Sequence, residues 1–386
     1  MTADRQATTL RPQFLRREGA SPVNPNERAL LDAIRRSGTI SRADLTRASG
    51  LSAPGAKALI DSLSERQLIE LGTPSIRGRG QPSASVTLAP DFAYCIGTSV
   101  MVDGFGVTLS NFSGQLLETH FTPTFPMRLA AVATGVRKSV GMMLRKHRID
   151  PEKVFGMGLS MTGPFIGSGS RVNPPLSMPE EWMQEELDAY FRARLEMPVW
   201  LDNDANCAAI AESLFGVGRW ASNFVYLHFT DGLGGGVIKE GRVVKGSHGN
   251  AGELGRIFPL TGLKRPSLEG LRQQVAQRGR DVPNIEAMLA IYDPEWPEIE
   301  AWLDEVGPGL SIVIAAIAAL CDPQAVVFGA RLPSDLAHRL IAKVDLQQQA
   351  RRDAPMPDPR LVVSEGPRDA ASIGAANLPF KEHFFL

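Results

Sequence analysis

Apolar positions recur three and four residues apart in three short stretches near the N-terminus. In "NERALLDAIRRSG", Ala29, Leu30, Ala33 and Ile34 share one helical face, and Gly38 ends it. In "SRADLTRASG", Ser41 and Asp44 stand at capping-box spacing, the Asp replacing the usual Glu, and Gly50 stops a short helix. "LSAPGAKALIDSLSERQLIEL" starts with Ser52 as a candidate N-cap and Pro54 in the first turn. Ala56, Leu59, Ile60 and Leu63 follow at helical spacing. The period then drops to two: Leu68 to Leu71 and Ser85 to Leu88 alternate like the strands of a hairpin around a Gly/Arg/Pro/Ser loop. Three helices and a hairpin predict a winged helix-turn-helix over residues 25–89, behind an aperiodic, mobile tail over 1–24. Known docking geometry makes DNA the expected partner; a purely structural three-helix domain is the alternative.

In such a domain the first turn of the third helix enters the major groove. Ser52, Ala53, Pro54, Gly55 and Lys57 lie there. Ala53, Pro54 and Gly55 are small or apolar, so direct base readout is thin, and Lys57 is the candidate for a base edge or a phosphate. The wing carries Arg77 and Arg79 around a glycine, which suits a narrow minor groove; solvated loop arginines are the bland reading.

Further along, "AYCIGTSV", "GFGVTLSN" and "GQLLETHF" are three strand candidates followed by a helix, Leu129 to Arg148. "FVYLHFTD", "GGGVIKE" and "GRVVKGS" repeat the arrangement. The expected fold class is α/β: the winged helix-turn-helix, then a duplicated actin-like (ribonuclease-H-like) two-lobed body. Lobe 1 is expected over 90–202 with a C-terminal helix over 368–386, and lobe 2 over 203–367.

Charge sharpens this division. Residues 1–90 hold 13 Lys/Arg against 8 Asp/Glu, whereas the rest hold 28 against 34. A basic segment on an acidic body suggests one nucleic-acid-binding part and one part with another task. Apolar content of 43% is that of an ordinary globular protein. The longest apolar run, Ile312 to Cys321, is too short to span a bilayer, and no leader pattern is visible, so a cytoplasmic protein without membrane contact is expected. Cys95, Cys207 and Cys321 are scattered, with neither a disulfide framework nor a cysteine metal site.

"LDNDANCAAIAE" sets Asp202, Asn203, Asp204 and Asn206 between an apolar strand and a small-residue helix. Such a cluster caps a helix, or it holds a ligand at a strand C-terminus. The flanks favour the second. "GMGLSMTGPF", "LDNDANCAAIAESLFGVGR", "NFVYLHFTDGLGGGVIKEGRVVKGSHGNAGELG", "DPQAVVFGA" and "SIGAA" resemble the successive motifs of the ROK family, over about residues 90–380. That family comprises bacterial sugar kinases and repressors on the same fold, and the preceding winged helix is similar to that of the repressor branch. The resemblance implies that Asn203 and Asp204 bind sugar hydroxyls, Asp204 standing at the base position of the kinases. Glu253 and Glu269 match two more hydroxyl ligands, and Asn173 and Gly163 are weaker matches. Caps and surface acids are the alternative for each.

The departures carry as much. The family's zinc site uses a histidine after the first glutamate, then three cysteines. Here Arg256 occupies the histidine position and "IFPLTGLKRPSLE" has no cysteine, so no zinc is expected. Arg256 either contacts an acidic or altered sugar or points to solvent. The kinases' Asp-x-Gly-x-Thr phosphate loop reads Ser99, Val100, Met101, Val102, Asp103, and the second loop's Gly-Thr-Gly reads Thr230, Asp231, Gly232. Methionine cannot let a phosphate approach backbone as glycine does. The expectation is a non-enzymatic, sugar-responsive regulator, a repressor that binds operator DNA as a homodimer or higher oligomer, without cofactor. The alternatives are an ATP-dependent sugar kinase with an N-terminal regulatory domain, and a DNA-binding protein whose body only dimerises.

Overall fold

The computed structural model describes residues 23–73, 84–167, 169–346, 356–367 and 369–385. Residues 1–22 of the expected tail, and the loop with Arg77 and Arg79, lie outside them. The last two tail residues correct the boundary. Val23 is buried, and Asn24 caps the first helix in a reciprocal box: its Oδ1 accepts from the Glu27 N–H at 2.9 Å, and Glu27 Oε2 accepts from the Asn24 N–H at 2.8 Å.

The N-terminal domain has helices α1 (Pro25–Ser37), α2 (Arg42–Ser49) and α3 (Ala53–Glu65). Its strands are β1 (Ile40–Ser41), β2 (Ile69–Leu71) and β3 (Ser85–Leu88), in the order β1-β3-β2. The hairpin thus gains a third strand that alternation could not reveal over two residues. Leu30, Leu31, Ile34, Leu45, Ile60 and Leu63 are fully buried with Val86, each contributing about 1.5–3 kcal/mol of hydrophobic burial.

Lobe 1 contains β4 (Tyr94–Val100), β5 (Gly104–Asn111), β6 (Leu116–Pro123), β7 (Val154–Met161) and β8 (Val199–Asn203), ordered β6-β5-β4-β7-β8. Its helices are α4 (Leu129–Lys146), α5 (Glu181–Gln184) and α6 (Leu187–Leu195). The expected end of α4 at Arg148 is two residues late, because Arg148 turns the chain with φ 55°. Then α7 (Asp204–Phe215) leads to β9 (Phe224–Phe229), β10 (Leu233–Lys239) and β11 (Arg242–Val243). Lobe 2 continues with α8 (Phe258–Thr261), α9 (Leu268–Gln277), α10 (Ile285–Ala290), α11 (Pro297–Cys321), β12 (Ala325–Ala330), α12 (Ser334–Ala342) and β13 (Arg360–Val363). Its sheet order, β11-β10-β9-β12-β13, repeats that of lobe 1: an antiparallel meander, then two strands added in parallel. The expected boundary at 202/203 falls inside β8, and α7 packs on strands of both sheets, so it belongs to both lobes.

The last helix, α13 (Ala370–His383), crosses back to lobe 1. It lies backbone to backbone on β4 and α7. A Cβ at Gly97 would sit 1.9 Å from the Ser372 carbonyl, and one at Gly374 would sit 1.7 Å from the Cys207 carbonyl. Its far end carries Phe380 and Phe384, which with Phe112, Phe155 and Phe385 join the core of the N-terminal domain. Arg28 of α1 donates to the carbonyls of Lys381 (2.9 Å) and Phe385 (Nε, 3.1 Å). The N-terminal domain is therefore docked on the body through a shared core.

By length and composition α11 could cross a membrane, which the count of uninterrupted apolar residues did not register. Its acids cluster in the first turns, and Gly307, Pro308 and Ser311 interrupt the run without adding charge. Its inner face, including Trp302, Val306, Leu310 and Ile314, lies in the lobe 2 core.

Candidate functional site

A cleft of about 960 Å³ opens between the lobes. All seven residues singled out for a sugar, Gly163, Asn173, Asn203, Asp204, Glu253, Arg256 and Glu269, line it. Their local roles differ. Asp202 is buried and structural: it accepts from the Asn203 N–H (2.8 Å) and Asn206 Nδ2 (2.9 Å), and Lys245 reaches it from lobe 2 at 2.9 Å. Asn203 caps α7 by accepting from the Ala205 N–H at 2.9 Å, and its Nδ2 donates to the Gly163 carbonyl at 3.3 Å. Gly163 has φ 108° and passes so close to the Asn173 carbonyl that a Cβ would lie 2.3 Å from it. It is a backbone necessity as well as a wall of the cleft.

Asp204 is the member of the cluster with capacity to spare. Its Oδ1 accepts from the Ala205 N–H at 2.8 Å, and its Oδ2 faces His228 Nε2 at 3.6 Å. Burial pushes its pKa up to about 6, against the lowering pull of hydrogen bonds from Thr162 and backbone N–H groups. Burial, and then the Asp204 charge, likewise raise Glu253 and Asp231. Arg256 is exposed on the rim, and its charge lowers Glu253; Arg265 does the same for Asp231. Glu269 is engaged differently. Burial raises it, but the Arg272 guanidinium at 2.7 Å on both oxygens, with Gln273 at 3.0 Å, holds it below the usual range.

The end expected to differ from a phosphate site is closed by protein. Asp103, 5% exposed, accepts from Arg331 Nη1 at 2.9 and 3.1 Å and from the Glu286 N–H at 3.4 Å; Arg331 also pairs with Glu286. Lobe 1 and lobe 2 are thus tied across the cleft. A second tie joins the lobes through Asn250, which accepts from the Phe165 N–H (2.8 Å) and donates to its carbonyl (2.9 Å). The residues present do not fit the family's zinc site: Arg256 replaces a ligand, and among the described residues no cluster of three His/Cys/Asp/Glu could hold a metal.

Sequence reasoning missed His228, Arg331 and Asn250. His228 left a signal: it ends a strand face that begins Phe224, Tyr226, as the one polar residue at that period. Arg331 and Asn250 left none, since Asp103 lies 228 residues from Arg331 and Phe165 lies 85 from Asn250. On the N-terminal domain, Ser52 caps α3 by accepting from the Gly55 N–H at 3.3 Å, and Ala53, Pro54 and Lys57 are exposed on its first turn.

Residues 95–261 match the ROK family. The chain is 26% identical over 369 residues to the uncharacterized protein y4fQ of Sinorhizobium fredii, covering 94% of each. It is 26% identical over 239 residues to the xylose repressor of Bacillus spizizenii, spanning 60% of each chain. Over 161 residues, 38% of this chain and 55% of the relative, it is 32% identical to the beta-glucoside kinase of Listeria innocua. Among solved structures, a ROK family transcriptional regulator described as a homologue of the E. coli MLC protein superposes with TM-score 0.68 at 21% identity, covering 93% of this chain and 96% of the other.

Proposed function

We propose that this chain, which carries a ROK family domain, is a sugar-responsive transcriptional regulator of the repressor type. On this reading residues 25–89 are a winged helix-turn-helix for operator DNA, with Ser52, Ala53, Pro54 and Lys57 at the major groove and Arg77 and Arg79 on the wing. The interlobe cleft takes a sugar or sugar derivative, held by Asp204, Glu253, Asn203 and, at the rim, Asn173, Arg256 and Glu269. The chain acts as a homodimer or higher oligomer, because two half-sites need two modules. The observation that carries the reading is one continuous packing route. Asp204 opens α7, α7 packs on α13, and α13 ends in the shared core with Arg28 of the N-terminal domain. A ligand that binds one arrangement of these elements more tightly shifts the population toward it, and with it the pose of α3.

The second reading, an ATP-dependent sugar kinase, is favoured by the retained Asp204 and the glycines of "GLGGG". Against it, Asp103 is taken by Arg331 in the place of a phosphate loop, and Asp231 would repel phosphates.

Two measurements test the proposal. Thermal unfolding against D-xylose, D-glucose, D-gluconate, D-glucosamine and D-glucose 6-phosphate should show stabilisation by one of them, growing with the logarithm of ligand excess. Operator titrations should weaken in Arg77→Ala and Arg79→Ala, with the salt slope about one unit smaller for each lost phosphate contact. If no probe stabilises the protein, the sugar site falls. If both arginine variants bind like wild type across salt, the wing does not touch DNA.

A further inference from the structure

His228 stands apart from every role assigned so far. It sits near the end of β9, 6% exposed, and its ring lines the cleft. Nδ1 is buried with no hydrogen-bond partner among the described residues. Nε2 faces Asp204 Oδ2 at 3.6 Å, beyond hydrogen-bond range, so neither atom satisfies the other. Burial pushes the imidazole down to about 4, with Asp231 pulling it up and Arg331 down, so the ring is neutral at pH 7. A neutral ring carries one proton. Placed on Nε2, it faces a carboxylate; placed on Nδ1, it would be a buried donor with nothing to accept it. The Nε2–H form is therefore the stable one. The cleft floor then presents an N–H donor and a carboxylate acceptor side by side, each with unused capacity. A hydroxyl has the matching pair of functions, since it donates and accepts at one oxygen.

Resting on the sugar-site reading above, we propose that His228 is a specificity-determining contact: His228 Nε2–H and the Asp204 carboxylate together hold one free hydroxyl of the effector. The class of ligand follows. The hydroxyl at that place is unsubstituted, because a phosphate there would meet Asp204 and Asp231 together, and a deoxy centre would leave a buried donor unpaired.

The test uses the full chain, with D-xylose, D-glucose, D-gluconate, D-glucosamine and D-glucose 6-phosphate as probes. His228→Gln can present an amide N–H near the Nε2 position, whereas the shorter amide of His228→Asn cannot. For the probe that stabilises wild type most, His228→Asn should bind about tenfold or more weakly, and His228→Gln within about threefold. Operator binding without sugar should match wild type in both variants. Wild-type affinity in His228→Asn overturns the inference and leaves the sugar site standing. If no probe stabilises wild type, the sugar-site reading fails and the inference fails with it. Should His228→Asn lose cooperative unfolding, nitrogen NMR of histidine-labelled wild type decides. The expected result is a protonated Nε2 whose resonance moves on sugar addition; an Nδ1-protonated ring, or no movement, overturns the proposal.

Discussion

The two lobes make the same turn twice, with opposite outcomes. Residues 101–103 join β4 to β5 and residues 230–232 join β9 to β10, three residues in each case at the same step of a repeated topology. Each turn carries a carboxylate toward the cleft. In lobe 1, Asp103 is locked by Arg331 and by the Glu286 N–H, and it joins the lobes. In lobe 2, burial and the Asp204 charge raise Asp231, against hydrogen bonds from its own backbone N–H and the Thr230 hydroxyl and the charge of Arg265. A buried carboxylate held by an arginine becomes a strut. The same group without one remains available for a ligand or a proton.

The largest effect should come from breaking the strut. Arg331→Met leaves Asp103 buried and unpaired, a loss of about 3–5 kcal/mol in denaturant unfolding. Asp231→Asn, at the matching turn, should leave stability unchanged or raise it. Equal losses at both turns would refute the contrast.

Next comes Asp204. Hydrogen bonds to charged groups contribute about 1.5–3 kcal/mol each, so Asp204→Asn and Glu253→Gln should weaken the stabilising sugar about tenfold to a hundredfold. Operator affinity without sugar should hold, because neither side chain is near α3. Wild-type response in both variants would return the cluster to the role of a helix cap.

Smaller effects are expected in pH dependence. Asp204 is raised from 3.8 to about 6, so its contribution to stability is present below pH 3.8 and lost as pH rises through about 6. His228 is lowered from 6.5 to about 4, so its contribution is present above pH 6.5 and lost as pH falls through about 4. The two slopes oppose each other in wild type. Unfolding between pH 4 and 7 should show stability rising with pH in Asp204→Asn and falling with pH in His228→Gln. Parallel profiles would mean that the groups are not held as described.

The smallest expected effect is none. Mg-ATP with the stabilising sugar should give background turnover in a coupled assay, since Asp103 is engaged by Arg331. Sugar-dependent turnover abolished by Asp204→Ala would establish the kinase reading.

Some of this was legible in order of residues alone. Periodicity located α1 and α3 because each apolar stripe is local, and Ser41 and Ser52 marked helix starts because a cap bonds only three residues ahead. The box at Asn24 and Glu27 is equally local, but its first member falls on the tail side of the expected boundary at 24/25. The strand pattern gave two meanders but not that α7 serves both, since a helix of small residues has no single apolar face to assign.

Residue order carries what short-range chemistry dictates: the helix caps, the alternating strands, the small-residue start of α7, the acids at strand ends, and the missing cysteines beside Arg256. Folding settles which of the buried acids meet a cationic partner. Asp103 and Asp231 look alike in sequence, and Arg331, more than 200 residues from Asp103, separates their fates. The same holds for the phenylalanines that bring α13 to the N-terminal domain, and for His228 beside Asp204. Burial and partnership are sums over neighbours brought together by folding, and no local window of residues contains them.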